Sequence, residues 1–192
     1  KHATIPIING LTDLLHPCQV MGDMMTILEH KRTLKGIKLA FVGDGNNMAH
    51  SLLFGGARTG MDVVVACPQG FEPDQEIIQT AKRDALETGA RLEVVFDPRE
   101  AVHDADVIYT DVWSSMGQEK EAKEKEKNFV DYQVNHQMLR LAKPDVMVMH
   151  CLPAKRGREI TDEVIDGPHS VVWDEAENRL HMQKAVMALV MQ

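Results

Sequence analysis

"LAFVGDGNNMAHSLL" (residues 39–53) runs from an apolar, β-rich stretch through a glycine turn into a helical pattern. Such a unit opens a strand–helix–strand crossover, and it decides the fold if its neighbours repeat it. They do. "IKLAFV" (37–42), "DVVVA" (62–66), "RLEVVF" (91–96), "DVIYT" (106–110), "VMVMH" (146–150) and "SVVW" (170–173) read as strands. Most are apolar at successive positions, the pattern of parallel strands covered on both faces. Helical stretches lie at about 47–59, 74–88, 98–104 and 134–142. This order predicts an α/β fold: a doubly wound, mainly parallel open sheet with helices on both faces, Rossmann-like in architecture. Ligands of such sheets bind beyond the carboxyl ends of the strands, so the chemistry is sought in the residues that follow each strand.

The glycine turn itself invites a dinucleotide reading, and two features oppose it. The third glycine of G-x-G-x-x-G would fall at Met48, and the acid due about 20 residues on would fall near Cys67 and Pro68. Asp62 stands at the wrong end of its strand. What remains is a tight turn that presents Asn46 and Asn47 at a helix N-terminus, either as caps or as ligand-binding amides. No cofactor is expected.

Composition sets outer limits. The chain has 192 residues, 44% of them hydrophobic, and a formal net charge of -8. That balance argues against nucleic acid or an anionic membrane as the main partner. No apolar run is long enough to span a bilayer, and no signal-peptide pattern opens the chain. Three widely spaced cysteines (Cys18, Cys67, Cys151) suggest a reducing, cytoplasmic setting. The chain begins at Lys1 and "TIPIING" (4–10) soon reads as a strand, so it is expected to be part of something longer. Residues 17–32 and 175–191 carry apolar residues at helical spacing and flank the core. "GQEKEAKEKEKN" (117–128) reads as a solvated helix with Glu–Lys pairs three and four apart.

Four strand ends and helix starts offer chemistry. In "VMHCLP" (148–153) an apolar strand stops at His150 and Cys151, and Pro153 forbids its continuation. Cys151 is a buried filler, a metal ligand or a working thiol. In "HPCQ" (16–19) Pro17 suits a first helical turn, which places His16 at the cap and Gln19 one turn on, with free N–H groups and the dipole favouring an anion. The two side chains either add donors to a ligand oxygen or are a capping His and a surface Gln. "YTDVWSSMGQE" (109–119) sets Asp111 just past a strand, followed by a turn at Ser115, Met116 and Gly117 that resembles a lid hinge. Arg179, in "WDEAENRLHMQKAV" (173–186), reads by itself as a solvated helix residue. No metal site is expected: His16, Cys18, His150 and Cys151 offer ligand types, but no C-x-x-C or H-x-x-x-H pair is present.

Taken together and in this order, "HPCQ", "GDGNN", "DVWSSMGQE", "HCLP" and "EAENR" resemble the ornithine carbamoyltransferases. The resemblance runs the length of the chain. The Ser-Met-Gly turn after Asp111 separates it from aspartate and putrescine carbamoyltransferases. It implies transfer of a carbamoyl group from carbamoyl phosphate to L-ornithine, giving citrulline and phosphate. It further implies that His16, Gln19, Cys151, Leu152 and Arg179 bind carbamoyl phosphate, that Asn47, Asp111, Ser115 and Met116 bind ornithine, and that Cys151 is catalytic. A homo-oligomer, a trimer or a multiple of one, is also implied.

One departure is plain. The family's Ser-x-Arg-Thr-Arg phosphate loop is absent from these residues. The resemblance therefore divides the chain into residues 1–32, the end of a carbamoyl-phosphate domain with its linking helix; 33–174, an ornithine-binding α/β domain; and 175–192, a helix that packs back on the other domain. It also implies little turnover by the chain alone. The rival readings are a carbamoyltransferase for putrescine or a similar amine, an NAD-dependent oxidoreductase, and a non-catalytic binding module.

Overall fold

The computed structural model describes residues 3–113 and 125–191. Five strands form one sheet: β1 (Lys38–Val42), β2 (Asp62–Ala66), β3 (Leu92–Val95), β4 (Val107–Thr110) and β5 (Met147–His150). Their order is β3-β2-β1-β4-β5 and every pair is parallel. The doubly wound expectation holds. Seven α-helices whose full length is described accompany the sheet, besides a 3-10 turn at Val130–Tyr132: α1 (Pro17–Lys31), α2 (Asn47–Thr59), α3 (Gln75–Asp84), α4 (Pro98–Val102), α5 (His136–Leu139), α6 (Asp162–Ile165) and α7 (Val172–Val190).

The continuous apolar strands are explained by their two covered faces. Leu39, Phe41, Val63, Val65, Val107, Tyr109, Met147 and Met149 enter one core with α1, α2 and α3. Ala40, Val42, Val64, Ala66, Ile108 and Val148 enter the other with α4, α5 and α6. Each fully buried aliphatic side chain contributes about 1.5–3 kcal/mol, so both faces are needed to hold strands this short.

The chain winds outward from β1 to β3, then returns to the other side of β1 for β4 and β5. The switch point therefore lies between β1 and β4, where a crevice opens beyond the strand ends. Asn46 follows β1 there and Asp111 follows β4. The Asn46 side chain caps α2, accepting from the N–H groups of Met48 and Ala49 at 2.9 and 3.3 Å. Gly45 is required by packing: a Cβ would stand 2.3 Å from the Pro73 nitrogen. The second glycine of the turn thus admits the 71–73 segment, with Gly45 N–H bonded to the Phe71 carbonyl at 2.9 Å.

Two sequence expectations are corrected. "SVVW" is not a strand: only Ser170 bridges Val148, and α7 already begins at Val172. Asp174 and Glu175 in its first turn complement the helix dipole and favour an early start. "TIPIING" forms no strand among the described residues, and Ile5, Ile7 and Ile8 are exposed. The flanking helices do find partners: Val20, Met24 and Ile27 of α1 enter the first core, and α1 packs along α7. Of the charged stretch 117–128, only residues 125–128 are described, and they are helical.

Candidate active site

Beyond the ends of β4 and β5, two predicted residues meet. Cys151 Sγ donates to Asp111 Oδ1 at 3.0 Å. Asp111 also accepts from its neighbour Val112 N–H at 2.7 Å and, at Oδ2, from Asn46 Nδ2 at 2.7 Å. Burial first, and then the Asp111 charge, push the Cys151 thiol well above its usual range. The sulfur is therefore a protonated donor here, not the thiolate that a catalytic reading invites. Asn47 points elsewhere, donating to the Thr12 carbonyl at 2.8 Å. Ser115 and Met116, with the lid-like turn, lie outside the described residues.

Cys151 also lines a cavity of about 450 Å³, together with Gln19, Leu152, Glu175 and Arg179. Leu152 and Arg179 continue into a second cavity of about 490 Å³ lined also by His16 and Cys18. Four of the five residues assigned to carbamoyl phosphate thus share one cavity, and His16 borders the adjoining one. Two readings of these side chains in isolation fail. Gln19 is not a surface residue; it is 1% exposed. Arg179 is not a solvated face residue either: its Nε is buried without a hydrogen-bond partner among the described residues. Arg179 packs beside Gly22 of α1.

His16 starts α1 without capping it by its side chain. Its N–H donates to Ser51 Oγ at 2.7 Å, and its Nδ1 lies 2.9 Å from the Gly10 carbonyl. Burial, then the Arg179 charge, lower its pKa. The neutral ring keeps its proton on Nδ1 for the obligate carbonyl acceptor, so Nε2 carries a lone pair. In that tautomer His16 offers a ligand an acceptor at Nε2.

The strand end is braced from behind. His150 Nδ1 accepts from Leu152 N–H at 2.9 Å, and Nε2 donates to Glu159 Oε1 at 3.2 Å. Glu159 also accepts from Lys155 N–H. This brace holds Leu152 in the left-handed region, φ 53°, which an ordinary side chain rarely occupies. Asp111, His150 and Cys151 bring three ligand-type atoms within 4.8 Å of one another. Both His150 nitrogens are already engaged, so the trio does not suit a metal ion as it stands.

The sequence reading missed a further set. Glu175 Oε1 accepts from Tyr109 OH at 2.9 Å and Gln19 Nε2 at 3.2 Å; its Oε2 accepts from His150 N–H at 2.9 Å. Asp23 Oδ1 accepts from Gln19 Nε2 at 2.9 Å. The available signal was Gln19 and Asp23, four residues apart and so on one face of a helix.

Comparison with known proteins decides the family. The family model described as aspartate/ornithine carbamoyltransferase, Asp/Orn binding domain, matches residues 35–190. The chain belongs to this family. It is 61% identical over 191 residues to the anabolic ornithine carbamoyltransferase of Pyrococcus furiosus, covering 100% of this chain and 61% of that protein. It is 60% identical over 190 residues to the ornithine carbamoyltransferase of Halalkalibacterium halodurans, covering 99% of this chain and 60% of that protein. The solved ornithine carbamoyltransferase of Pyrococcus furiosus superposes with a TM-score of 0.96 at 61% identity over 99% of this chain and 61% of that one. Ornithine transcarbamoylase of Giardia lamblia superposes with a TM-score of 0.92 at 37% identity over 100% of this chain and 64% of that one. The chain spans about three fifths of the curated carbamoyltransferases it matches. Among its described residues no helix is long and apolar enough to cross a membrane.

Proposed function

We propose that this chain supplies the ornithine side of a carbamoyltransferase that makes L-citrulline and phosphate from carbamoyl phosphate and L-ornithine, in the direction of arginine synthesis. The observation that carries the reading is the Asp111–Cys151 pair, hydrogen-bonded at 3.0 Å on adjacent strand ends beside a cavity reached by Gln19 and Arg179. A buried acid and a soft neutral donor suit an alkylammonium that must arrive charged and react neutral.

The energetics explain why that matters. An amine with a pKa near 10.4 is neutral in only one molecule in ~10³ at pH 7, a cost of ~4–5 kcal/mol. Asp111 attracts the ammonium, with Asn46 holding the carboxylate in place. Cys151 orients the amine; the ammonium favours release of the thiol hydrogen to solvent, and the thiolate so formed takes the ammonium proton. The amine nitrogen then bonds to the carbamoyl carbon, the carbon–oxygen bond to phosphate breaks, and phosphate leaves with the electron pair and takes up the second proton shed by that nitrogen. The carbamoyl NH₂ has two N–H groups, and His16 Nε2 and Gln19 Oε1 are acceptors one helical turn apart. Arg179 faces the developing oxyanion and the phosphate. Ser115 and Met116 complete the ornithine contacts, joined by Asn47 once its amide leaves the Thr12 carbonyl.

Residues 33–174 form the ornithine-binding domain in this reading. The exposed apolar side chains at the end of α7, Leu189 and Met191 among them, meet the family's carbamoyl-phosphate domain along with residues 1–32. The three free cysteines favour the cytoplasm, and the working assembly is a trimer or a multiple of one. The test is citrulline formation by an enzyme in which these 192 residues are completed by the remaining part of the Pyrococcus furiosus relative. Turnover with ornithine at least 10²-fold preferred over putrescine is expected. Absence of citrulline, or equal use of both amines, overturns the reading. The 192 residues without that part should form citrulline at a small fraction of the completed enzyme's rate.

A further inference from the structure

Behind Gln19 lie two carboxyl groups that the proposed reaction does not use. Asp23 is 0% exposed and Glu175 1%. Both accept from the same amide nitrogen, Gln19 Nε2; burial and then the neighbouring Glu175 charge push Asp23 well above the usual carboxylate range, and burial raises Glu175 as well. Two such groups in contact cannot both be charged. The donor count shows where the proton sits. Glu175 takes hydrogen bonds from Tyr109 OH, His150 N–H and Gln19 Nε2, a set that favours its anion. Asp23 Oδ2 has no donor among the described residues, so a shared proton is better placed on Asp23 than on Glu175.

We propose that Asp23 and Glu175 are a positioning pair that holds one proton between them and fixes the amide of Gln19 with its carbonyl oxygen left unpartnered, beside the cavity that Gln19 lines. Gln19 Nε2 has two acceptors, Asp23 Oδ1 at 2.9 Å and Glu175 Oε1 at 3.2 Å, while Gln19 Oε1 has no partner among the described residues. Turning the amide over would face its oxygen with acceptor oxygens and strand both N–H groups, so the pair selects one orientation. The free oxygen then accepts an N–H of the carbamoyl group. A buried acceptor left open costs stability unless a ligand satisfies it, which is the expected state of a site without its substrate. The proposal rests on the reading of Gln19 as a carbamoyl-binding residue.

Its test is steady-state kinetics on the completed enzyme described above. Asp23→Ala is expected to raise KM for carbamoyl phosphate about tenfold with KM for ornithine unchanged. Asp23→Asn, whose NH₂ replaces the O–H while its oxygen still accepts from Gln19, restores it to within about twofold. Glu175→Gln raises it about tenfold, because the new NH₂ meets an N–H or O–H donor. Should that variant fail to fold, Glu175→Asp, which keeps the charge and withdraws it from Gln19, gives the same split. In a Gln19→Ala background Asp23→Ala adds nothing further, since both changes act through one amide. Additive effects, equal losses for both substrates, or an Asp23→Asn variant as impaired as Asp23→Ala each overturn the proposal while the carbamoyltransferase reading stands. No citrulline from the unsubstituted enzyme overturns that reading, and this proposal with it.

Discussion

Asp111 and Asp23 are both buried aspartates near one cavity, and their surroundings give them opposite work. Asp111, after β4, accepts from Asn46, Val112 and Cys151. Asp23, on α1, accepts from Gln19 and faces the second carboxyl of Glu175. The first is supplied with donors and is ready to meet a cation. The second is short of donors and becomes one. Burial weighs most on Asp23, and the inventory of neighbouring donors sets the two further apart.

The comparison is most sharply broken at Asp111. In the completed enzyme Asp111→Ala is expected to lower kcat/KM for ornithine by about 10²–10³-fold, the cost of removing one partner of a buried charge pair. Unchanged kinetics would leave Asp111 a turn-capping residue. Cys151→Ala comes next: kcat falls about 10–10²-fold and KM for ornithine rises, with KM for carbamoyl phosphate unaffected. A variant with parental kinetics removes the sulfur from the mechanism.

Asp23 is examined through stability. Its folded pKa lies above its unfolded value of about 3.9, so between them the native state binds the extra proton and stability falls as pH rises. Asp23→Asn removes that loss. Urea unfolding from pH 4 upward should show the variant gaining on the parent by up to ~1.4 kcal/mol per pH unit until the native group titrates. A difference that does not change with pH would mean Asp23 is charged. Asn46→Ala gives the smallest effect, about 1 kcal/mol of stability from the lost cap of α2, read as a lowered urea midpoint. A loss of affinity for ornithine should accompany it, because Asp111 loses a donor.

How far the sequence could be read follows from the same physics. The strands were legible because β1, β2, β4 and β5 are apolar on both faces, which two helical layers demand. Asp111 and Cys151 were legible as candidates because they follow strands. "SVVW" was misread because three apolar residues in a row suit a strand and a buried helix start equally; only the acidic first turn of α7 tells them apart. Glu175 was hidden in that same turn, where an acid is ordinarily a solvated dipole partner.

The sequence by itself determined the parallel sheet, the ends at which chemistry gathers, and the family, through short motifs set far apart along the chain. Tertiary structure alone decided which polar groups pair across those distances. Gln19 and Glu175 are separated by 156 residues, and Asp111 and Cys151 by 40. Periodicity reports which face of an element is buried. Whether a buried carboxyl keeps its charge depends on donors brought to it by other elements, and those are assembled only when α1, α7 and the ends of β4 and β5 pack together.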